Sequence, residues 1–69
     1  MIQKYDIVDT ISDIYCTDGF LYVGSRGTVV EIYELPEGTL EYHVEFCYPS
    51  GQFKALVILK DHHLLKVTK

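Results

Sequence analysis

The chain has 69 residues, of which 48% are hydrophobic and 13% aromatic, and six Lys and Arg against ten Asp and Glu give a net charge of −4. That length is enough for one domain, residues 1–69, burying only roughly 60% of the surface its unfolded form exposes, and the apolar content excludes intrinsic disorder. No stretch approaches the roughly 20 apolar residues of a membrane span, and MIQKYDIVDT has no apolar run behind a basic start, so a soluble, cytoplasmic protein with no membrane association is expected.

The charge balance also bears on partners. The acids are scattered from Asp6 to Asp61 instead of forming a tail. Nucleic-acid affinity is built largely on phosphate neutralisation by Lys and Arg, so DNA or RNA would meet net repulsion and a basic partner would be attracted. Cys16 and Cys47, with no secretory signal, read as two reduced thiols rather than one disulfide.

In chain order, residues 5–11 alternate, with Tyr5, Ile7 and Ile11 on one side and Asp6, Val8 and Thr10 on the other, which predicts a first strand. Residues 12–24 keep no sustained period and predict a long loop, with Phe20, Leu21 or Val23 tucked back onto the core. GTVVEIYE follows from Gly27, with Thr28, Val30 and Ile32 alternating with Val29, Glu31 and Tyr33, and its β-branched content predicts a strand. It ends at Leu35-Pro36-Glu37-Gly38, where Pro fixes φ and Gly allows φ above zero, so the chain should reverse into a hairpin.

The return strand, residues 40–48, should face Tyr42, Val44, Phe46 and Tyr48 inward and Glu41, His43, Glu45 and Cys47 outward. Pro49-Ser50-Gly51-Gln52 supplies a second tight turn. Residues 53–59 are apolar apart from Lys54, predicting a fourth strand buried on much of both faces. Lys60-Asp61-His62-His63 then suits one turn of 3₁₀ helix before a short closing strand at residues 64–67. No run is long enough for an amphipathic helix. The expected fold is therefore all-β: a small SH3-like half-open barrel of about five antiparallel strands, with a long loop after the first strand and a 3₁₀ turn before the last.

Gly24-Ser25-Arg26-Gly27 invites a phosphate-loop reading. It lacks the GxxxxGK[ST] spacing and leads into a strand where a helix N-terminus would be needed. The glycines read instead as a tight approach into the strand, and Arg26 as a contact for a partner carboxylate or a solvated side chain. His43, His62, His63, Cys16 and Cys47 are ligand types that zinc accepts, but they lack Cys-x-x-Cys or His-x₃-His spacing. Cys16 or Cys47 with a histidine would have little room for an enclosed substrate. Glu31 and Glu45 can face each other across the hairpin as a solvated pair. No constellation meets the geometry of a reaction class, so neither catalysis nor a cofactor is expected.

Tyr15, Tyr22, Tyr33 and Tyr48 can form an aromatic surface near the loops, while Tyr5 and Tyr42 are expected to place their rings in the core. The contact residues that emerge are Arg26, Glu31, Tyr33, Glu45 and Tyr48, with Glu31 and Tyr33 expected on the face of Val29.

The order of a strand at Tyr5-Asp6-Ile7-Val8, a loop ending in Gly24 and Gly27, GTVVEIYE, LPEG, YHVEF and ALVILKDHHLLKV resembles a family of short bacterial proteins, the domain of unknown function 4926, over residues 5–67. The resemblance implies architectural roles for Gly27 at the start of its strand, Val30 and Ile32 in the core, Pro36-Glu37-Gly38 in the turn, and Val57 and Leu59 in the later strand. The family loop is usually charged, with a Lys-Lys-Gly-like approach to the first glycine, whereas here it reads Asp18-Gly19-Phe20-Leu21-Tyr22-Val23-Gly24. The resemblance further implies an antitoxin or immunity role beside a toxin-like protein encoded nearby. A non-enzymatic, protein-binding module is thus expected. The alternative is a KOW-like nucleic-acid or ribosome-binding module, and edge-strand pairing would allow a homodimer.

Overall fold

A computed structural model describes residues 1–16 and 19–67. In chain order the strands are β1 (Ile7–Thr10), β2 (Ile14–Cys16), β3 (Gly19–Leu21), β4 (Arg26–Glu34), β5 (Leu40–Cys47), β6 (Phe53–Leu59) and β7 (Leu64–Lys66), with a 3₁₀ turn at Asp61–His63 between β6 and β7. Five of them form one antiparallel sheet in the order β6-β5-β4-β1-β7, and β2 with β3 forms a separate hairpin. Among the described residues β6 and β7 do not pair, so the sheet stays open. The five-stranded open arrangement, the long connection after the first strand and the 3₁₀ turn before the last match the expectation from the sequence. Among the described residues no helix is long and apolar enough to cross a membrane.

The two hairpins flanking β5 are closed by the same device. Gly38 N–H donates to Leu35 C=O and Leu35 N–H to Thr39 C=O, both at 2.8 Å; Gly51 and Tyr48 repeat this with Gln52, again at 2.8 Å. Gly38 and Gly51 sit at φ +92° and +91°. Each turn is thus Pro at the second position, where its fixed φ fits, and Gly in the left-handed region, where a Cβ would be penalised. Tyr48 begins the second turn instead of ending β5, and it is half exposed rather than inward.

Inside the sheet, Val8, Val29, Val44 and Phe46 are almost completely buried, joined by Tyr42, Ala55, Val57, Leu59 and Leu64. The open side is filled by the β2–β3 hairpin, whose Ile14 and Leu21 belong to the same core. Residues 12–24 therefore hold a hairpin where an irregular loop was expected. Leu21 tucks in as predicted, Val23 stays exposed and Ile14 supplies an anchor that the sequence did not single out. Asp18 of that stretch lies outside the described residues.

Thr10 fixes the far end of this connection. Its hydroxyl donates to Tyr22 C=O (3.1 Å) and accepts from Ser25 N–H (3.0 Å), and its carbonyl accepts from Gly24 N–H (2.8 Å). A buried hydroxyl with both roles filled carries no net desolvation penalty.

A register shift in β4 redirects its side chains. Val29 pairs with Val44, but the next partners are Glu31 and His43, leaving Val30 as an extra residue. Beyond this bulge Ile32 joins the core side opposite the buried Tyr42, while Glu31 and Tyr33 turn outward opposite His43 and Glu41. Val29 is therefore the core residue and Val30 only half buried, and Glu31 and Tyr33 do not share the face of Val29. The bulge coincides with the N-terminal segment, where Val29 N–H donates to Asp6 C=O at 2.9 Å and Tyr5 N–H donates to Val29 C=O at 2.6 Å. Tyr5 reaches that position at φ +74° and leaves its ring in solvent, outside the core.

β6 alternates more strictly than its apolar run suggests. Ala55, Val57 and Leu59 are buried, whereas Leu56 and Ile58 are 53% and 55% exposed. One face of β6 is thus covered and the other open.

Candidate functional site

Pairing across β4, β5 and β6 builds the outward face in rows. Thr28, Glu45 and Leu56 form one row, and Glu31, His43 and Ile58 the next; Tyr33 and Glu41 follow. Glu31 faces His43 rather than Glu45, because the bulge moves it out of the row that Glu45 occupies. Three of the five predicted contact residues, Glu31, Tyr33 and Glu45, are brought together here. The Tyr33 ring lies 4.7 Å from the His43 imidazole, which is half buried and whose Nε2 has no hydrogen-bond partner among the described residues. Leu56 and Ile58 add exposed apolar surface beside the carboxylates.

The other two lie elsewhere. Arg26, at the start of β4, donates through Nε (2.8 Å) and Nη2 (3.1 Å) to the two carboxylate oxygens of Asp9 on β1, a side-on pair opposite in register. This fork matches the carboxylate geometry and holds the Asp9 carboxyl below its ordinary range. Arg26 also lines a shallow depression of about 280 Å³ with Leu21, Phe46, Pro49 and Lys54. Tyr48 stands in the nearby β5–β6 turn with Lys54 Nζ 5.4 Å from its ring centre.

Nor do the four tyrosines make one surface. Tyr15 and Tyr22 flank Phe20 on the β2–β3 hairpin, with centroid separations of 4.9 and 4.7 Å. Tyr33 belongs to the outward sheet face and Tyr48 to the turn. Tyr42 is buried as expected, and burial pushes its hydroxyl pKa up, with Asp61 adding to the effect.

Most cations are already engaged. Lys4 Nζ is 3.4 Å from Glu31, Lys60 3.8 Å from Glu41 and Lys66 3.3 Å from Asp6, alongside the Arg26–Asp9 pair. Hydrogen bonding to Glu31 raises the Lys4 pKa. The Gln3 N–H, then Lys66, lower that of Asp6. Among the described residues Asp13, Glu34, Glu37, Glu45 and Asp61 have no cationic partner, against Lys54 without an anionic one, so the unpaired charge is net negative.

Around the 3₁₀ turn, Lys60 N–H donates to His63 Nδ1 at 3.1 Å, and the His62 and His63 rings are 4.1 Å apart. Burial first, then the neighbouring His62 and Lys60, lower the His63 pKa. Among the described residues no three His, Cys, Asp or Glu side chains gather as a metal-ligating group. Both cysteines are free thiols: Cys16 is half buried, and exposed Cys47 has Sγ 3.9 Å from Glu45 Oε1.

Sequence reasoning placed His43 on the outward side of its strand but missed Leu56 and Ile58 as parts of the same face. For β6 the signal was small: Ala55, Val57 and Leu59 share a parity, but Leu56 and Ile58 are equally apolar.

The fold and this face define a small, open, all-β protein with an acidic, partly apolar outward surface. Residues 4–66 match the family described as Domain of unknown function (DUF4926), and the chain belongs to that family. No curated protein and no solved structure matches it.

Proposed function

We propose that this protein is a non-enzymatic interaction module that binds a basic surface of another protein, in the manner of an antitoxin or immunity partner. The observation that carries this reading is the gathering of Glu31, Tyr33 and Glu45 with exposed Leu56 and Ile58 on one sheet face. Tyrosine and aliphatic side chains supply contact area, and carboxylates select a cationic partner and speed its approach. We read the strand order, with a hairpin after β1 and a 3₁₀ turn before β7, as SH3-like, an architecture that serves as a scaffold for binding surfaces.

The pairing of Lys4, Arg26, Lys60 and Lys66 with carboxylates supports a protein partner over nucleic acid. A polyanion would have to compete for those four cations, and phosphate contacts carry most non-specific affinity. The test is co-expression of the tagged chain with the product of the adjacent gene. A complex that dissociates faster in the Tyr33→Ala variant and assembles more slowly in Glu45→Lys supports the reading. Recovery of the chain alone, or RNA retention in a gel shift with a steep salt dependence, overturns it.

A further inference from the structure

β6 is one free edge of the five-stranded sheet, seven residues long, with Lys54 as its only charge and no proline. Natural edge strands are usually blunted by charges, prolines or bulges. Here the register shift falls at the first end of β6, between Phe46 and Cys47 of its neighbour, and from Ala55 to Leu59 the ladder runs without interruption. Beside the second half of this edge lies a cleft of about 420 Å³ lined by residues 12–15, including Asp13 and Ile14, by Val57, Ile58 and Leu59, and by His63. Behind the edge, on the outward face, Leu56 and Ile58 lead to Glu45 and His43, and beyond His43 to Glu31.

We infer that β6 accepts an extended segment of a basic protein partner as an added strand. Alternate side chains of such a segment point to opposite faces, which matches the two sides of β6. Apolar residues would enter the cleft against Ile14, Val57 and Leu59. Lys or Arg on the other side would lay their stems over Leu56 and Ile58 and carry their heads toward Glu45, two strand spacings or roughly 10 Å away. The inference rests on the reading of the outward face as the site for a basic protein, and adds to it the strand geometry of the partner and the edge it uses.

The test uses the full chain with a synthetic peptide of about eight residues alternating Val and Lys, compared with a peptide of the same composition arranged in blocks. The alternating peptide should slow amide hydrogen exchange at residues 55–59 by about tenfold or more, and the blocked peptide should not. Ile58→Lys, with Leu56→Lys as a second exposed variant should the first fail to fold, should abolish that slowing while leaving the backbone spectrum otherwise unchanged. Peptides or a co-purified partner that shift Glu31, Tyr33 and Glu45 while residues 55–59 exchange at the free rate overturn the edge alone and leave the face as the site. Slowing that grows with protein concentration in the absence of peptide assigns the edge to a second copy and also overturns it. Failure to recover any basic partner overturns the reading on which it rests.

Discussion

Glu31 on β4 lies opposite His43 on β5, although Val29, two residues before it, lies opposite the adjacent Val44. The bulge at Val30 therefore decides which side chains of the strand reach solvent. Without it, strict alternation would set Glu31 and Tyr33 beside Val29, and the outward face would lose its central carboxylate and ring.

The first expected outcome follows from that shift. Val29 is completely buried, whereas Val30 is half buried at the bulge. Val29→Ala should cost about 2 kcal/mol and Val30→Ala less than about 1 kcal/mol, because only the first leaves a cavity in a closed core. Urea midpoints of the two variants measure the difference, and a larger loss at Val30 would contradict the assigned register.

Gly27 and Gly24 separate two reasons for glycine. A Cβ on Gly27 would lie 2.7 Å from Val44 Cγ1 and 2.9 Å from both Glu45 O and Phe46 Cδ1, so a backbone carbonyl would have to move. Gly27→Ala should cost about 2–3 kcal/mol by overpacking. Gly24 has open space around it but sits at φ +85°, so Gly24→Ala should cost only about 1 kcal/mol of backbone strain. Thermal melts of both variants test the ranking, and equal losses would contradict it.

Stability should fall in two stages on acidification. Burial, then His62 and Lys60, hold the His63 pKa below its ordinary 6.5, so the folded chain favours the neutral ring; that contribution is complete above 6.5 and declines as pH drops through the lowered folded value. Asp9, held below 3.8 by Arg26, and Asp6, held below 3.8 by the Gln3 N–H and Lys66, favour their ionised forms in the folded chain. Their contribution is complete above 3.8 and is lost only as pH falls through their own lowered values. His63→Gln should flatten the upper stage in a urea-midpoint profile, and Asp9→Asn should shrink the lower one. An upper stage that persists in His63→Gln would contradict the assignment.

Much of this architecture was legible in the residues. The repeated Pro and Gly turns, the inward parity of Tyr42, Val44 and Phe46, and the 3₁₀ turn at Asp61–His63 all follow from local chemistry and sit where the sequence placed them. What was not legible depends on pairing between distant segments. The bulge at Val30 arises where the N-terminal segment bonds to both backbone groups of Val29, and nothing in GTVVEIYE announces that contact. Likewise Ile14 looks like an isolated apolar residue until the β2–β3 hairpin carries it with Leu21 into the open side of the sheet. In β6 the uniform apolarity of residues 55–59 hid the period, because an unpaired edge can keep apolar side chains on its exposed face. For the candidate site, Glu45 and His43 were placed together on the outward side, but Glu31 and Tyr33 were assigned to the face of Val29, and Leu56 and Ile58 fell in a strand expected to be buried on much of both faces. Arg26 was read as free for a partner, and the structure gives its guanidinium a carboxylate in its own chain.

We propose above that a basic protein docks on the outward face of β4, β5 and β6. Chemical-shift mapping of the isotope-labelled chain against the unlabelled product of the adjacent gene tests it most directly. The largest shifts are expected at Glu31, Tyr33, His43, Glu45, Leu56 and Ile58, weakened in Glu45→Lys and reduced by added salt. Shifts confined to the β2–β3 hairpin or to β7, with this face unchanged, would contradict it.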